Sequence, residues 1–342
     1  MFTEGKIGNL KVKNRFIRSA TAEFGANADG TITEQYFDLY RQLALGEIGL
    51  IIQGHLYIID EGKAHKKMAG ISDQIQVEQL KRLVEVVHNS DSESKIIAQL
   101  NHGGVFSTSK KAPFIREGRE SVEMTEDDIE GIILGFKVAA KRAKEAGYDG
   151  IQIHAAHGYL LSQFLSKKTN QRKDEWGGSL ENRSKLLLEV FKNIRSEVGS
   201  KYPIMVKING ADDPADDFPL EESVKVSQWL SDEGIDAIEV SGSKSTRTLE
   251  EKENTYFVPF AQEIKKHIGE TMVSVVGGFR FFSTMQQIRD DFADFISLSR
   301  PFIREPDLIQ KFKNGKKVAD CITCNKCFKV EDIVKCRAEE EE

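Results

Sequence analysis

Lys95-Ile96-Ile97-Ala98-Gln99-Leu100, the run from Thr125 to Glu145, and Gly150-Ile151-Gln152-Ile153-His154 read as strand, helix and strand. The two short runs are nearly continuously apolar, as expected of strands covered on both faces. The run between them opens on Thr125-Glu126-Asp127-Asp128, an acidic first turn that suits the helix dipole, and Gly147 supplies a stop. Neighbouring strands joined by a helix run parallel, with a right-handed crossover.

The same unit recurs on both sides. Strands are predicted at Arg15 to Ala20, Gly49 to Gln53, Ile204 to Ile208, Ala237 to Ser241, Met272 to Val276 and Phe295 to Leu298. Helices are predicted at Thr33 to Leu45, Ile75 to Val87, Leu180 to Val198, Leu220 to Asp232, Val258 to His267, Ser283 to Arg289 and Pro306 to Asn314. Eight strand-then-helix units favour the α/β class, as a (β/α)8 TIM barrel, over an open sheet. No Gly-x-Gly-x-x-Gly follows the first strand, which argues against an open dinucleotide-binding sheet. The division expected is a barrel over residues 1–318 and a short cysteine-containing C-terminal extension over 319–342, ending in the acidic run Glu339 to Glu342.

Composition narrows the function. The 342 residues carry 48 Lys and Arg against 54 Asp and Glu, a net charge of −6 with no basic footprint for nucleic acid. No apolar run approaches the roughly 20 residues of a membrane helix. The N-terminus, Met1-Phe2-Thr3-Glu4-Gly5-Lys6, shows no secretion signal, so a cytoplasmic location is expected.

In a barrel the chemistry gathers at the C-terminal ends of the strands. Those ends read Ser19-Ala20-Thr21, Gln53-Gly54-His55, Gln99 to Gly104, His154 to Tyr159, Lys207-Ile208-Asn209, Ser241-Gly242, Gly277-Gly278 and Ser299-Arg300. The last two loops can offer backbone N–H groups and a guanidinium to a phosphate, although Gly-Gly alone also makes a plain tight turn. In His154-x-x-His157-x-Tyr159, two imidazoles can grip one oxygen and the phenol can deliver a proton. A metal site and satisfied structural histidines are the competing readings.

Several segments resemble the old yellow enzyme family of FMN-dependent ene-reductases and NADH:flavin oxidoreductases. They are Lys13 to Thr21, Ala98 to Gly104, His154 to Ser166 leading into Asn170 to Arg183, and Ser299-Arg300-Pro301-Phe302 followed by Pro306-Asp307. The resemblance implies FMN across the barrel mouth. Ser19, Ala20 and Thr21 would line the flavin, Gly54 would supply backbone beside it and Gln99 would bond its pyrimidine edge. Lys207 would face the N1–C2=O region, where the family often has Arg. Gly277, Gly278, Ser299 and Arg300 would hold the phosphate. His154 and His157 would bind a substrate oxygen, with Tyr159 as proton donor. A Cys or Thr common just past strand one in the family is Ala22 here. The implied activity takes hydride from NADH or NADPH and reduces the C=C bond of an enone or similar small electrophile. An NADH oxidase or amine demethylase on the same barrel, passing electrons to an external acceptor, is the alternative. Whether the chain forms a homo-oligomer is open.

All four cysteines, Cys321, Cys324, Cys327 and Cys336, fall in one C-terminal stretch. A disulfide framework would spread them over the fold, whereas clustered thiolates suit a 4Fe-4S cluster or structural zinc, with bare thiols as the third reading.

Overall fold

The computed structural model describes residues 1–114, 118, 120–212, 217–242, 255–328 and 333–339. An antiparallel hairpin, β1 (Gly5–Ile7) and β2 (Leu10–Val12), leads into the first barrel strand, β3 (Phe16–Arg18). β4 (Leu50–Tyr57) and β5 (Lys95–Asn101) follow, and then β6 (Lys111–Ala112) and β7 (Val122–Glu123) form a small separate sheet. The ring continues with β8 (Gly150–Ala155), β9 (Ile204–Asn209), β10 (Ala237–Ser241), β11 (Met272–Val276) and β12 (Phe295–Leu298). β12 pairs with β3 and closes a barrel of eight parallel strands, as the eightfold repeat predicts.

The crossover helices are α1 (Glu34–Leu45), α2 (Gln74–Ser90) and α3 (Glu126–Glu145). After α4 (Leu160–Leu165) come α5 (Leu180–Val198), α6 (Leu220–Asp232), α7 (Val258–Lys265) and α8 (Phe282–Asp291), and then α9 (Arg300–Arg304) and α10 (Leu308–Lys313). α3 shows why such stretches become helices. Thr125 and Asp128 form a reciprocal capping box, Arg142 and Lys144 sit in the last turn, and Ile129, Ile132, Phe136, Ala139 and Ala143 make the buried stripe. The short helices α4 and α9, between strands and crossover helices, were not among the predicted elements; too few residues repeat in either to set up a helical period.

Strand alternation sorts side chains into two cores. Outward residues such as Ile151, Ile153, Val206, Ile208, Ile238 and Val240 pack beneath the helices. Inward residues near the strand starts (Ile17, Leu50, Ile52, Ile97, Met205, Ala237 and Phe295) join Ile7 and Val12 of the hairpin, which plugs that end. Burying each such side chain contributes about 2 kcal/mol. Higher in the barrel the inward positions turn polar. Gln99 lies beside Gln152, and His154, Lys207 and Glu239 stand side by side on successive strands.

Two strands differ from the apolar-run reading. β3 ends at Arg18, although Ser19 still donates its N–H to Leu298 O at 2.9 Å. β4 runs on to Tyr57 past a register shift between Gln53 and Leu56. Beyond the barrel, the extension lies on the rim where strands end. Ala319 N–H donates to Arg280 O at 2.9 Å and Val334 N–H to Glu23 O at 2.7 Å. Of the acidic tail, Glu339 accepts a bond from Arg304, and residues 340–342 lie outside the described residues.

Candidate active site

The C-terminal rim opens into a cleft of about 710 Å³. Of the residues singled out from sequence, Ser19, Ala20, Thr21, His157, Lys207, Gly277, Ser299 and Arg300 line it. Ala22 and Ser241 join them, and Tyr256, Phe257 and Phe328 add aromatic wall. Gly278 lines an adjoining hollow that shares Gly277, Ser299 and Arg300 with the cleft and also touches Arg280, Cys321 and Thr323. Gly277 and Gly278 have φ of +107° and +77°, a region that L side chains rarely adopt, and a Cβ on Gly277 would sit 2.8 Å from the Phe257 ring. The ends of strands one and eight are tied together where Thr21 Oγ1 meets Ser299 Oγ at 2.7 Å. Arg300 donates from Nη1 to Asn325 Oδ1 of the extension at 2.7 Å.

Lys207 is almost wholly buried and sits in a polar chain across the barrel. Its Nζ donates to Ser19 Oγ at 2.7 Å and lies 3.2 Å from Glu239 Oε2. Gln152 Nε2 also donates to Glu239 Oε2, at 2.8 Å, and Gln99 Nε2 donates to Gln152 Oε1 at 2.7 Å. Burial pushes the Glu239 carboxyl up, while Lys207 and the hydrogen bonds pull it down further, so the net direction is downward. Gln99 therefore sits one layer below the cleft, with its amide nitrogen already engaged. Glu239 escapes a reading of strand ends because it lies mid-strand; its signal is a lone carboxylate in the otherwise apolar Ala237 to Val240.

Gly54, assigned above to backbone beside the flavin, faces elsewhere. Its N–H points at Glu23 Oε1 and Tyr40 Oη, both at 3.1 Å, and a Cβ there would come within 1.9 Å of Thr21 O. Glycine is needed for this close approach of strand two to the exit of strand one. Glu23 anchors the junction through Arg18 Nη1 at 2.9 Å and the hydroxyls of Tyr36 and Tyr40 at 3.0 and 2.7 Å.

On the opposite wall the rings of His154 and His157 lie 5.1 Å apart, and those of His154 and Tyr159 lie 5.2 Å apart. His157 Nε2 shares a 2.8 Å hydrogen bond with Ser241 Oγ, and its N–H donates to Asn209 Oδ1 at 3.2 Å. His154 Nδ1 is buried without a partner. Burial lowers His157 to about 3 and His154 well below 6.5, with neighbouring imidazoles and Lys207 adding to the effect, so both rings are neutral near pH 7. Burial alone raises the Tyr159 phenol.

Two further histidines complete this wall. His55 lies 5.0 Å from Tyr159 and 6.1 Å from His154, and the His65 ring lies tilted against Phe24 at 4.5 Å. Phe106 meets Tyr159 edge-on at 6.1 Å. Tyr57, another aromatic near this strand end, turns outward and donates to Asp29 O.

The four cysteines are free thiols, and Cys324 is exposed. Among the described residues no three His, Cys, Asp or Glu side chains are arranged to hold a metal ion, so neither the 4Fe-4S nor the zinc expectation finds a cage. The backbone between them turns at Thr323 and Asn325, with φ of 58° and 60°, and Arg304 Nη1 donates to Cys336 Sγ at 3.5 Å. Burial raises Cys321 and lifts Cys327 to about 11, which disfavours their thiolates.

The residues present fit a flavin mononucleotide. The cleft is wide and partly aromatic, a cation stands at its floor, and a guanidinium with two left-handed glycines stands at one end. Comparison with known proteins points the same way. Residues 1–318 match the model of the NADH:flavin oxidoreductase / NADH oxidase family. The chain is 34% identical to an NADH oxidase of Thermoanaerobacter brockii over 95% of its own length, but spans only 52% of that protein. It is 32% identical to an NADPH dehydrogenase of Listeria monocytogenes serotype 4a (strain HCC23), over 90% of this chain and 92% of the relative. The structure of an old yellow enzyme homologue from Zymomonas mobilis superposes with a TM-score of 0.82 at 28% identity, covering 94% of each chain. Among the described residues no helix is long and apolar enough to cross a membrane.

Proposed function

Because the chain belongs to the NADH:flavin oxidoreductase / NADH oxidase family, we propose that it is an FMN enzyme that oxidises NADH or NADPH and reduces the C=C bond of α,β-unsaturated carbonyl compounds. The observation that carries this reading is the cluster of His154, His157 and Tyr159, whose rings meet behind the cleft that His157 lines. Ser19, Ala20 and Thr21 would flank the flavin, and Lys207 would place its charge at the pyrimidine side. Gln99, its Nε2 held by Gln152, keeps its amide oxygen for an N–H of that edge. Gly277, Gly278, Ser299 and Arg300 would take the phosphate. When bound, the flavin supplies the hydride, received from the nicotinamide and passed to the β-carbon of the substrate.

The protein's part is positioning and proton handling. If Ser241 donates to His157 Nε2, that neutral ring carries its proton on Nδ1; if His154 likewise carries its proton on its unpartnered Nδ1, the two rings give two donors for one carbonyl oxygen. Such donors draw electron density onto that oxygen and make the β-carbon electrophilic. Tyr159 then protonates the α-carbon.

Replacing Tyr159 by Phe is expected to slow enone reduction by roughly 100-fold or more, the usual contribution of a general acid, with flavin reduction by NADPH unchanged. Stopped-flow measurement of the two half-reactions checks this, and equal slowing of both would remove Tyr159 from its role. A second reading is favoured by the NADH oxidase relative, namely electron delivery to an external acceptor. It predicts NADH consumption in air that added 2-cyclohexenone does not change. Amine demethylation draws on the aromatic walls Tyr256, Phe257 and Phe328; release of an aldehyde from a methylamine would mark it.

A further inference from the structure

We propose that His55, packed against the Tyr159 ring, is its positioning residue and turns its ring N–H to the phenolate left after proton donation. The inference rests on the enone-reducing reading and deepens it. No motif pointed to His55, because strand alternation places it on the wrong face. Leu50 and Ile52 point into the barrel, so residue 55 would point outward in a regular strand. The register shift between Gln53 and Leu56 resets the phase, leaving Leu56 in the outer core and bringing His55 inward. Bulges re-aim side chains in this way next to active sites.

The ring is held in one orientation and one tautomer. Asn101 Nδ2 lies 2.7 Å from His55 Nδ1; with the amide nitrogen as donor, the neutral imidazole carries its proton on Nε2. Burial, with His65 and His157 adding to it, lowers His55 to about 3, so the ring stays neutral near pH 7. The Tyr159 ring lies 5.0 Å away at an interplanar angle of 40°.

Tyr159 needs such a neighbour. Among the described residues its hydroxyl makes no hydrogen bond, and no charged side chain offsets the burial that raises its pKa. When its O–H bond breaks and a C–H bond forms at the substrate α-carbon, a buried phenolate remains. The hydride for the β-carbon comes from the reduced flavin, NAD(P)H restores that flavin, and solvent returns the proton to the phenolate. Of the imidazoles around it, His157 is engaged by Ser241, His154 meets the phenol ring edge-on and is the one assigned above to the substrate oxygen, and His65 lies tilted against Phe24. His55 is the one left to stabilise the negative oxygen.

The test has an arm without flavin. In flavin-free wild type labelled at tyrosine ¹³Cζ and histidine ¹⁵N, ionising Tyr159 (assigned by its loss in Tyr159→Phe) is expected to move the His55 ¹⁵Nε2 resonance. In His55→Phe the Tyr159 titration is expected to shift about one pH unit upward, the equivalent of one tenfold change. In the holoenzyme, His55→Phe is expected to slow reoxidation by 2-cyclohexenone roughly tenfold or more, as loss of such a bond implies. Flavin reduction by NADPH stays at the wild-type rate, and His55→Gln, which keeps an N–H, recovers part of the loss. A His55 resonance indifferent to Tyr159, an unmoved Tyr159 titration, or equal slowing of both half-reactions overturns the assignment. Wild type that reduces no enone defeats the functional reading instead, and the flavin-free titration still decides the contact.

Discussion

At the scale of single residues, the side chains that organise the site are those that tie several segments together. Arg18 and Glu23 form an ion pair that is almost wholly buried, and Glu23 also takes bonds from Tyr36, Tyr40 and Gly54. Replacing Glu23 by Gln leaves the guanidinium without a counter-charge, and the expected loss is roughly 3–5 kcal/mol. Urea unfolding reads this as a fall in midpoint at constant m; a loss below about 1 kcal/mol would assign the pair to the solvent-exposed class. Strand-end residues were legible from the sequence because an eightfold alternation specifies which ends share a rim, and the rim brings His154, His157, Tyr159, Lys207, Ser299 and Arg300 together. Glu239 and Glu23 were not legible in that way. Each is defined by the groups gathered around it, Lys207 of the neighbouring strand for Glu239 and Arg18, Tyr36, Tyr40 and Gly54 for Glu23, and no motif along the chain records that gathering.

Elements add their own constraints, and α2 is the clearest example. Asp73 accepts from Gln76 N at 2.8 Å, and the Gln76 side chain accepts from Ser72 N at 2.7 Å and donates to both Asp29 O and Tyr57 Oη at 2.7 Å. Asp73→Ala is therefore expected to cost about 1 kcal/mol, a lost cap. Gln76→Ala should cost about 2–3 kcal/mol, because buried groups on two other segments lose their partner. Thermal melts of both variants test the order, and equal losses would reduce Gln76 to a capping role. The crossover helices could be anticipated from their apolar stripes. α4 could not, since its six residues are all buried and show no polar face to set a period. The bulge in β4 was equally hidden, because the one glycine at the slip, Gly54, reads equally as a close backbone approach and does not fix the phase of the strand beyond it. The four cysteines stay neighbours in space, since Cys327 feels the charge of the other three, yet among the described residues no three of them are arranged to hold a metal ion.

The whole molecule carries an acid liability from its histidine-lined mouth. Burial lowers His55, His102 and His157 to about 3 and His65 to about 4, against the 6.5 of a free imidazole side chain. Below pH 6.5 the unfolded chain binds protons that the folded chain refuses, so stability is full above that pH and is lost as pH falls toward 4 and then 3. Each imidazole adds at most about 1.4 kcal/mol per pH unit to the slope. Urea titrations at pH 7, 6, 5 and 4.5 should show the steepening, and His102→Gln should remove about one proton from it; an unchanged slope would mean that His102 protonates freely in the native state. The ring closure described above has another consequence, for biosynthesis. β3 finds its second neighbour, β12, only when residues about 280 positions further along have been made. At roughly 5–20 residues per second the ribosome needs tens of seconds to supply them, and throughout that interval the first strand is an open edge available to any passing chain. For this protein, chaperone cover during translation belongs at the N-terminal end.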